Sequence, residues 1–320
     1  MKQLLALFLL ISFSVQSQVY VGIRDYLGEK TKLNNPKVMQ KVKGSKILFV
    51  LPDIYSKEEY EKLLNQCWKF SDYELVPIKD FNEDPSKYLK ISTVVAEYNG
   101  ILKTINYTNP NKLVKQNEYV FIDILFYVID GIKVGKKETT YEKTIFGQIS
   151  FCPDYGKCKK DGISSYLDIS PNYLRNYNLG LLKNYLTIMS KNLVSNSLYD
   201  GYAEINDTAK LRKLKSQKLY IVEDIKQKNM GAFNREDRDL NELTVDYEYK
   251  KEFITAEELS NKILMGEEIF YLFHNQDNSK KIISVVNSKT GEVIYNSLER
   301  MSFTVKEKDF KELNKAISKS

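Results

Sequence analysis

Carboxylates are the side chains of this sequence with the widest scope for catalysis, because hydrolysis of a glycosidic bond needs only two Asp or Glu residues. Asp123 interrupts an otherwise apolar segment, EYVFIDILFYVID at 118–130, and Asp130 ends it. If this segment is a strand, its alternation predicts that Asp123 faces solvent, which is a simpler interpretation than catalysis. The other carboxylates that come into question, without a distinguishing sequence context, are Glu97, Asp224 and Asp246.

His274 is the single histidine among the 320 residues, and it stands at the end of a predicted strand. Acid–base chemistry at neutral pH and zinc binding both depend on histidine, so a zinc site with two histidine ligands is excluded. A triad that uses His274 with Cys67 or a serine stays open, but no G-x-S-x-G motif accompanies it. We interpret His274 as structural, either satisfied or exposed. The sequence assigns no catalytic, cofactor-binding or metal-binding residue, and it favours a protein that is not an enzyme.

The segment KILFVLPDIYSKEEYEKLLNQCW, residues 46–68, has the strand–turn–helix outline of a nucleotide-binding fold. A phosphate site at such a turn needs glycines, so that backbone N–H groups can approach the anion. The turn PDIYS contains no glycine, Pro52 lacks an N–H, and the carboxylate of Asp53 would repel phosphate. The turn is therefore predicted to be a connector, and no cofactor is expected.

Three cysteines, Cys67, Cys152 and Cys158, bear on the redox state of the chain. The stretch CPDYGKC could close a small disulfide loop between Cys152 and Cys158, since Pro, Asp and Gly favour a turn. Free thiols are the alternative, because the number of cysteines is odd and spacing does not fix geometry. Cys67 falls on the apolar stripe of a predicted helix, which indicates core packing.

The N-terminus, MKQLLALFLLISFSVQSQVY, has the pattern of a secretory signal peptide. Lys2 supplies the positive start, an apolar segment follows, and the small residues Val15 and Ser17 precede the expected cleavage before Gln18. As a helix this apolar segment would reach only about 18 Å, short of the ~30 Å hydrocarbon core. Residues 1–17 are called the leader below. We expect the mature chain to be exported to the periplasm, the outer-membrane surface or the medium, without a transmembrane segment.

The formal net charge is +6, and lysines supply most of the basic residues. Nucleic-acid readers favour arginine for bidentate contacts, so no nucleic-acid partner is expected. The densest basic stretch, KLRKLKSQK at 210–218, is interpreted as a solvated linker, with contact to acidic lipid or polysaccharide as the alternative. Just before it, NDTA at 206–209 resembles the Asp-Thr/Ser-small motif for O-glycosylation in some exported bacterial proteins, which would modify Thr208.

Local patterns in the first half predict alternating strands and helices. Ser56 and Glu59 form a capping box at the start of one helix. The apolar positions Leu174, Tyr177, Leu181, Leu182, Tyr185, Met189 and Leu193 recur at helical spacing after Pro171. The predicted strands are 19–23, 46–51, 73–78, 118–130 and 139–151, and the predicted helices are 57–70, 85–98 and 171–199.

The local sequence patterns of the second half resemble those of the first. Thr255 and Glu258 form a second capping box, and a predicted strand at 268–273 follows that helix, so the halves could be related by duplication. Residues 281–297 predict a hairpin in which Gly291 is available for a positive φ. An amphipathic helix at 305–317 is predicted to close the chain.

The stretch ISVVNSKTGEVIYNS, residues 283–297, is similar to the strand–Thr-Gly–strand hairpin of small periplasmic α/β assembly factors of the curli-secretion type. The resemblance covers about 15 residues and implies a hairpin within an α/β fold and a role in envelope assembly. It carries no functional residue with it. No cysteine lies near the expected cleavage position, which argues against a lipid anchor.

These observations predict an α/β (α+β) protein with a mixed, mostly antiparallel sheet and packed amphipathic helices. Its function is expected to be non-enzymatic binding or assembly, with an envelope protein or glycan as partner. The alternative is a carboxylate-dependent hydrolase of envelope glycan. The predicted segments are the leader at 1–17, a lead-in at 18–45, an α/β domain at 46–205, a basic linker at 206–218 and a second α/β domain at 219–320.

Overall fold

The computed structural model describes residues 19–22, 36–108, 114–136, 138–153, 170–200, 203–230, 234–277, 280–300 and 302–320. The leader, the expected cleavage position between Ser17 and Gln18, and Cys158 lie outside these residues. Cleavage and the pairing of Cys152 with Cys158 therefore stay predictions. The chain folds as an α/β protein with two mixed sheets, which confirms the predicted fold class.

The first sheet contains seven strands in the order β3-β2-β4-β5-β6-β1-β7. β2 pairs in parallel with β3 and β4, and every other pairing in this sheet is antiparallel. The strands, numbered along the chain, are β1 (Val19–Val21), β2 (Ile47–Leu51), β3 (Tyr73–Pro77), β4 (Val94–Thr108), β5 (Val114–Val134), β6 (Thr139–Phe151) and β7 (Tyr199–Asp200).

The second sheet contains six strands in the order β12-β9-β13-β14-β15-β8. Here β9 pairs in parallel with β12 and β13, and the remaining pairings are antiparallel. Two further strands, β10 (Gln227–Met230) and β11 (Asn234–Asp237), form a separate two-stranded ribbon. The sheet strands are β8 (Ile205–Asn206), β9 (Leu219–Val222), β12 (Lys251–Ile254), β13 (Phe270–Asp277), β14 (Lys280–Asn287) and β15 (Val293–Arg300).

The two sheets share one strand order, in which a central strand is parallel to both neighbours and an antiparallel three-stranded meander follows on one side. The two helices that open with capping boxes do not share one position in this order. α2 (Lys57–Cys67) connects the central strand β2 to the edge strand β3, whereas α7 (Ala256–Leu264) connects the edge strand β12 to β13. The sequence echo therefore aligns helices that are not structurally equivalent, and a duplication stays a prediction.

A layer of helices lies between the two sheets, and its centre is α4 (Leu179–Val194). One apolar cluster joins the inner face of the first sheet, for example Phe49 and Phe126, to α2, α4 and α7. The same cluster includes Tyr271 and Val286 from the second sheet. Since both sheets bury apolar side chains against α4, this helix has little exposed surface.

Further helices lie on the outer faces of the sheets. α1 (Pro36–Val42) precedes β2 and packs Val38 and Val42 into the cluster between the sheets, whereas α3 (Ile78–Glu83) packs Phe81 on the outer face of the first sheet. On the second sheet, α5 (Thr208–Leu211), α6 (Leu240–Leu243) and α8 (Glu307–Ser318) cover a second apolar cluster. The fold is therefore a stack of five layers in which helices and sheets alternate.

Both predicted capping boxes are confirmed. Ser56 accepts a hydrogen bond from the backbone N–H of Glu59, whose carboxylate accepts one from the backbone of Ser56. Thr255 and Glu258 are bonded in the same way at the start of α7. Each box satisfies two N–H groups that the first helical turn would leave without a partner.

Two predicted helices are corrected by the structure. The segment 85–98 is not helical, because a single 3-10 turn at Pro85–Lys87 is followed by β4, whose first residues Val94 and Val95 are β-branched. The helix predicted at 171–199 begins only at Leu179, where Asn178 caps it, after a 3-10 turn at Pro171–Tyr173. The apolar stripe was nonetheless correctly located, since all seven of its positions are buried.

The basic stretch 206–218 is folded, so its interpretation as a solvated linker is wrong. It contributes to β8, forms α5 and continues as a 3-10 helix at Arg212–Lys215. Leu211 and Leu214 are fully buried in the second apolar cluster, while the lysines between and around them point outward. Two apolar residues three positions apart suffice to anchor this segment against α8.

Two glycines allow close backbone contacts within the helix layer. A Cβ at Gly180 would lie 2.6 Å from the backbone of Ser260, which marks the point where α4 meets α7. A Cβ at Gly291 would lie 2.6 Å from the carbonyl oxygen of Asn184, so the β14–β15 turn rests directly on α4. Gly291 also has a φ of +69°, as its place in the predicted hairpin requires.

Candidate functional site

The longest strand pair among the described residues, β4 with β5, extends beyond the rest of the first sheet. β2 pairs with β4 only as far as Glu97, and β6 pairs with β5 only from Ile122 onward. The ladder between β4 and β5 continues from there to the pair Thr108 and Val114. Residues 101–108 and 114–121, called the arm below, therefore pair only with each other among the described residues. Eight residues of strand correspond to a length of about 27 Å.

An arm of two strands has two long edges along which backbone N–H and C=O groups can pair with another strand. Isolated two-stranded hairpins are only marginally stable in water, so packing against a further strand would stabilise the arm. Addition of a strand to such an edge is a common mode of peptide and protein recognition. The backbone groups along the edges of the arm are thus suited to binding an extended segment of a partner.

The two carboxylates singled out in the sequence, Asp123 and Asp130, are not brought together. They lie seven residues apart on one extended strand, which corresponds to about 23 Å. Asp130 accepts hydrogen bonds from Lys41, at 2.8 Å, and from Thr144. These contacts hold the pKa of Asp130 below its usual range despite some burial. A glycosidase pair needs a separation of about 5–10 Å, so these two residues do not form one.

The expected exposure of Asp123 is wrong. Its side chain does alternate with Ile122 and Ile124, which face the helix layer, but the opposite face of the sheet is covered at this point and Asp123 is only 1% exposed. Glu97 lies diagonally from Asp123 across β4 and β5, which corresponds to about 7–8 Å. Glu97 is, however, engaged by the hydroxyl of Tyr127 at 2.6 Å and by Lys143 at 3.2 Å. This arrangement does not favour the hydrolase interpretation.

His274 is buried on β13, at the carboxyl end of the parallel pair formed with β9. Neither ring nitrogen has a hydrogen-bond partner of good geometry among the described residues. Burial is the main reason that its pKa falls to about 3, and the charges of Arg175, Lys281 and Arg238 add to the effect. The histidine is therefore neutral at physiological pH and is not exposed.

The pKa of His274 gives a direct prediction. Its ring signal in a ¹H–¹³C NMR titration should not shift between about pH 8 and pH 5, and since the chain has one histidine the assignment is unambiguous. Unfolding frees the ring to bind a proton below its ordinary pKa of about 6.5, so His274 contributes a loss of stability as pH falls below 6.5, about 2 kcal/mol by pH 5. A mid-point between pH 6 and 7 would contradict the prediction.

The matched variant for this measurement is His274→Phe. The difference in unfolding free energy between the two proteins should change with pH between about 6.5 and 5, in favour of the variant at the acid end. The difference between the two proteins is used because Asp224 changes the unfolding free energy with pH in the opposite direction. Burial raises the pKa of Asp224 to about 6, although the positive charge of Arg175 acts to lower it. As pH falls, Asp224 therefore binds a proton in the folded state before it does so in the unfolded state, which adds stability.

A second buried polar group, Lys281, is held by two carboxylates. Its Nζ lies 2.7 Å and 2.8 Å from the two oxygens of Asp309 and 2.6 Å from Glu299, and its side chain is 1% exposed. Burial alone would raise the pKa of Glu299, but hydrogen bonds from Lys281 and Lys308 outweigh it and lower the pKa to about 2. Asp309 also accepts a hydrogen bond from the backbone of Lys306. The cluster thus ties the start of α8 to β14 and β15.

A small cavity lies between α4, β1 and the β14–β15 hairpin, with a volume of about 20 Å³. Asn184, Tyr271 and Ser284 are its polar lining, and the amide of Asn184 donates to the hydroxyl of Tyr271 at 3.0 Å. This volume holds about one water molecule, so the cavity is too small for a substrate.

The remaining residues named from the sequence have simple environments. Cys67 is buried in the core, as predicted, and burial raises its pKa to about 12, so it is not a reactive thiolate. Thr208 is exposed at the start of α5, which leaves its modification a prediction. The described residues contain no cluster of three His, Cys, Asp or Glu side chains suited to a metal ion. Within the same residues, no helix combines the length and apolar character needed to cross a bilayer.

No protein-family model matches the chain, and searches of curated proteins and of solved structures gave no significant match.

Sequence reasoning did not identify the arm or the cluster around Lys281. The arm could have been suspected from the length of the two segments of strand character that flank NPNKL, residues 109–113. The burial of Lys281 has no local signature, because Asp309 and Glu299 reach it only through the tertiary fold.

Proposed function

We propose that this chain is an exported, non-enzymatic binding or assembly protein of the cell envelope, and that the arm is the element that engages its partner. The observation that carries the proposal is the extension of β4 and β5 beyond the strands that pair with them in the first sheet. A structural hairpin in a packed sheet would gain little from eight further residue pairs whose two edges are joined by no other strand of the described chain.

Side-chain exposure supports an edge-based rather than a surface-patch mode of binding. The large apolar side chains that are more than half exposed belong to five separate segments of the described chain, so they do not point to one apolar docking face. They are Ile91, Val134, Val194, Leu198, Val245 and Met265. Recognition through backbone hydrogen bonds at a strand edge does not require such a face.

The test is to shorten the arm. Residues 103–119 are replaced by Asn-Gly, which forms a two-residue hairpin turn between Leu102 and Val120. The variant should fold with an unchanged core, because the residues removed pair only with each other among the described ones. It should lose the partners that the mature protein retains when both are cross-linked in cell-envelope extract and analysed by mass spectrometry.

The matched control shortens the β10–β11 ribbon in the same way, by joining Lys228 to Glu236 through Asn-Gly. This control should keep the full set of cross-linked partners. Equal retention of partners by the arm variant would contradict the role of the arm, and recovery of no partner by the unmodified protein would contradict the binding function.

A further inference from the structure

The N-terminal strand β1 fills a slot inside the first sheet rather than adding to an edge. It pairs with β6 on one side, Val19 with Ile149, and with β7 on the other, Tyr20 with Asp200. In the sheet order β7 is reached only through β1. Without β1, the facing edges of β6 and β7 would both lose their backbone partners.

Burial shows how completely the slot encloses this strand. Val19, Tyr20 and Val21 are only 5%, 7% and 2% exposed, and the two valines belong to the cluster that spans both sheets. The backbone N–H of Gly22 donates to the carbonyl of Phe146 at 2.7 Å and extends the pairing by one residue. The slot therefore accepts an extended segment in which β-branched residues alternate along the strand.

The expected cleavage position lies directly before this strand. A peptidase binds its substrate in an extended form, with backbone groups on both sides of the scissile bond available to the enzyme. In the folded chain Val19 is paired with Ile149 of β6, and Tyr20 is paired on both sides, with Gln148 of β6 and Asp200 of β7. Insertion of β1 therefore competes with the binding of Val19 and Tyr20, the second and third residues after the scissile bond, by the peptidase.

We propose that the slot between β6 and β7 is a strand-accepting site that Val19–Val21 of the same chain completes only after the leader has been removed. This inference rests on the proposed export of the chain. During export the slot is open, and its ligand is an extended apolar peptide of the Val-Tyr-Val type.

A disulfide trap tests the order of the two events. Tyr20→Cys and Gln148→Cys are combined, because these residues are directly paired between β1 and β6. Labelling with maleimide is done in denaturant, so that burial alone protects no thiol. In the exported mature protein the new cysteines should then be protected until reduction. In a precursor whose cleavage is blocked by Ser17→Tyr they should stay reactive. Equal protection in precursor and mature protein would overturn the proposal.

The register control is Tyr20→Cys with Ser150→Cys, two residues along β6. This diagonal pair is separated by about 7–8 Å, beyond the usual reach of a disulfide, and with labelling in denaturant it should stay reactive in both forms. If the unmodified chain keeps its leader in the native host, the proposed export fails. If the unmodified chain is cleaved but the new cysteines are protected in the blocked precursor, only the strand-accepting site is refuted.

A second measurement covers the case in which the cysteine variants do not fold. A mature chain that lacks residues 18–22 is mixed with millimolar acetyl-QVYVG-amide, and its thermal mid-point is recorded. A saturable rise is expected, since a ligand that binds only the folded state stabilises it. The peptide QVPVG should give no rise, because proline removes a backbone donor within the strand. The same response to both peptides, or to neither, would overturn the proposal.

Discussion

Replacement of Gly291 with alanine is expected to lower the free energy of unfolding by about 2–5 kcal/mol. A conformational cost and a steric cost add up to this value. A φ of +69° costs a residue with a Cβ about 1–2 kcal/mol. The new methyl group would also lie 2.6 Å from the carbonyl oxygen of Asn184, and relieving such overpacking costs about 1–3 kcal/mol.

Two other glycines separate these causes. Gly266→Ala has a similar φ, +79°, with nothing within 4 Å of the added Cβ, so it should cost only the conformational part. Gly180→Ala meets the backbone of Ser260 at 2.6 Å and should cost the steric part. Urea unfolding followed by the fluorescence of Trp68, the single tryptophan, measures all three. Equal costs for Gly291→Ala and Gly266→Ala would show that the turn does not rest on α4.

Replacement of Lys281 with methionine is expected to cost about 3–5 kcal/mol, because it leaves the carboxylate of Asp309 buried without its counter-charge. Part of this cost should be recovered in the double variant Lys281→Met with Asp309→Asn, which removes the charge but keeps an oxygen for the backbone of Lys306.

The control for this cluster is Lys308→Met. Lys308 is bonded to the same Glu299, but its side chain is 50% exposed, so the loss should stay below about 1 kcal/mol. Chemical denaturation of the three variants beside the unmodified protein provides the comparison. A cost for Lys281→Met no larger than that for Lys308→Met would show that the buried ion pair adds nothing to the attachment of α8.

Elements with a complete local pattern could be predicted from the sequence. The strand Thr139–Phe151 was placed at its observed bounds, and both capping boxes were found, because strand propensity and N-capping act over a few residues. The apolar stripe of α4 was also found, yet the start of the helix was not, since Leu174 and Tyr177 continue the stripe within a non-helical loop.

Features that depend on distant contacts could not be predicted. Nothing local to Asp123 indicates that the outer face of its strand is covered, and nothing local to His274 indicates full burial. The charge of the stretch 206–218 indicates a linker, whereas the burial of Leu211 and Leu214 depends on α8, about a hundred residues further along the chain. The same holds for the arm, whose significance depends on where β2 and β6 stop pairing.

The sharing of α4 between the two sheets has a consequence for synthesis. The first sheet and α4 are complete in the chain by Asp200, but the cluster they belong to also needs residues as late as Val286. At ordinary rates of translation the ribosome takes on the order of 5–20 s to reach that point. For that interval the apolar side of α4 that faces the second sheet remains uncovered. The nascent chain should therefore be bound by chaperones that prevent aggregation until its C-terminal third emerges.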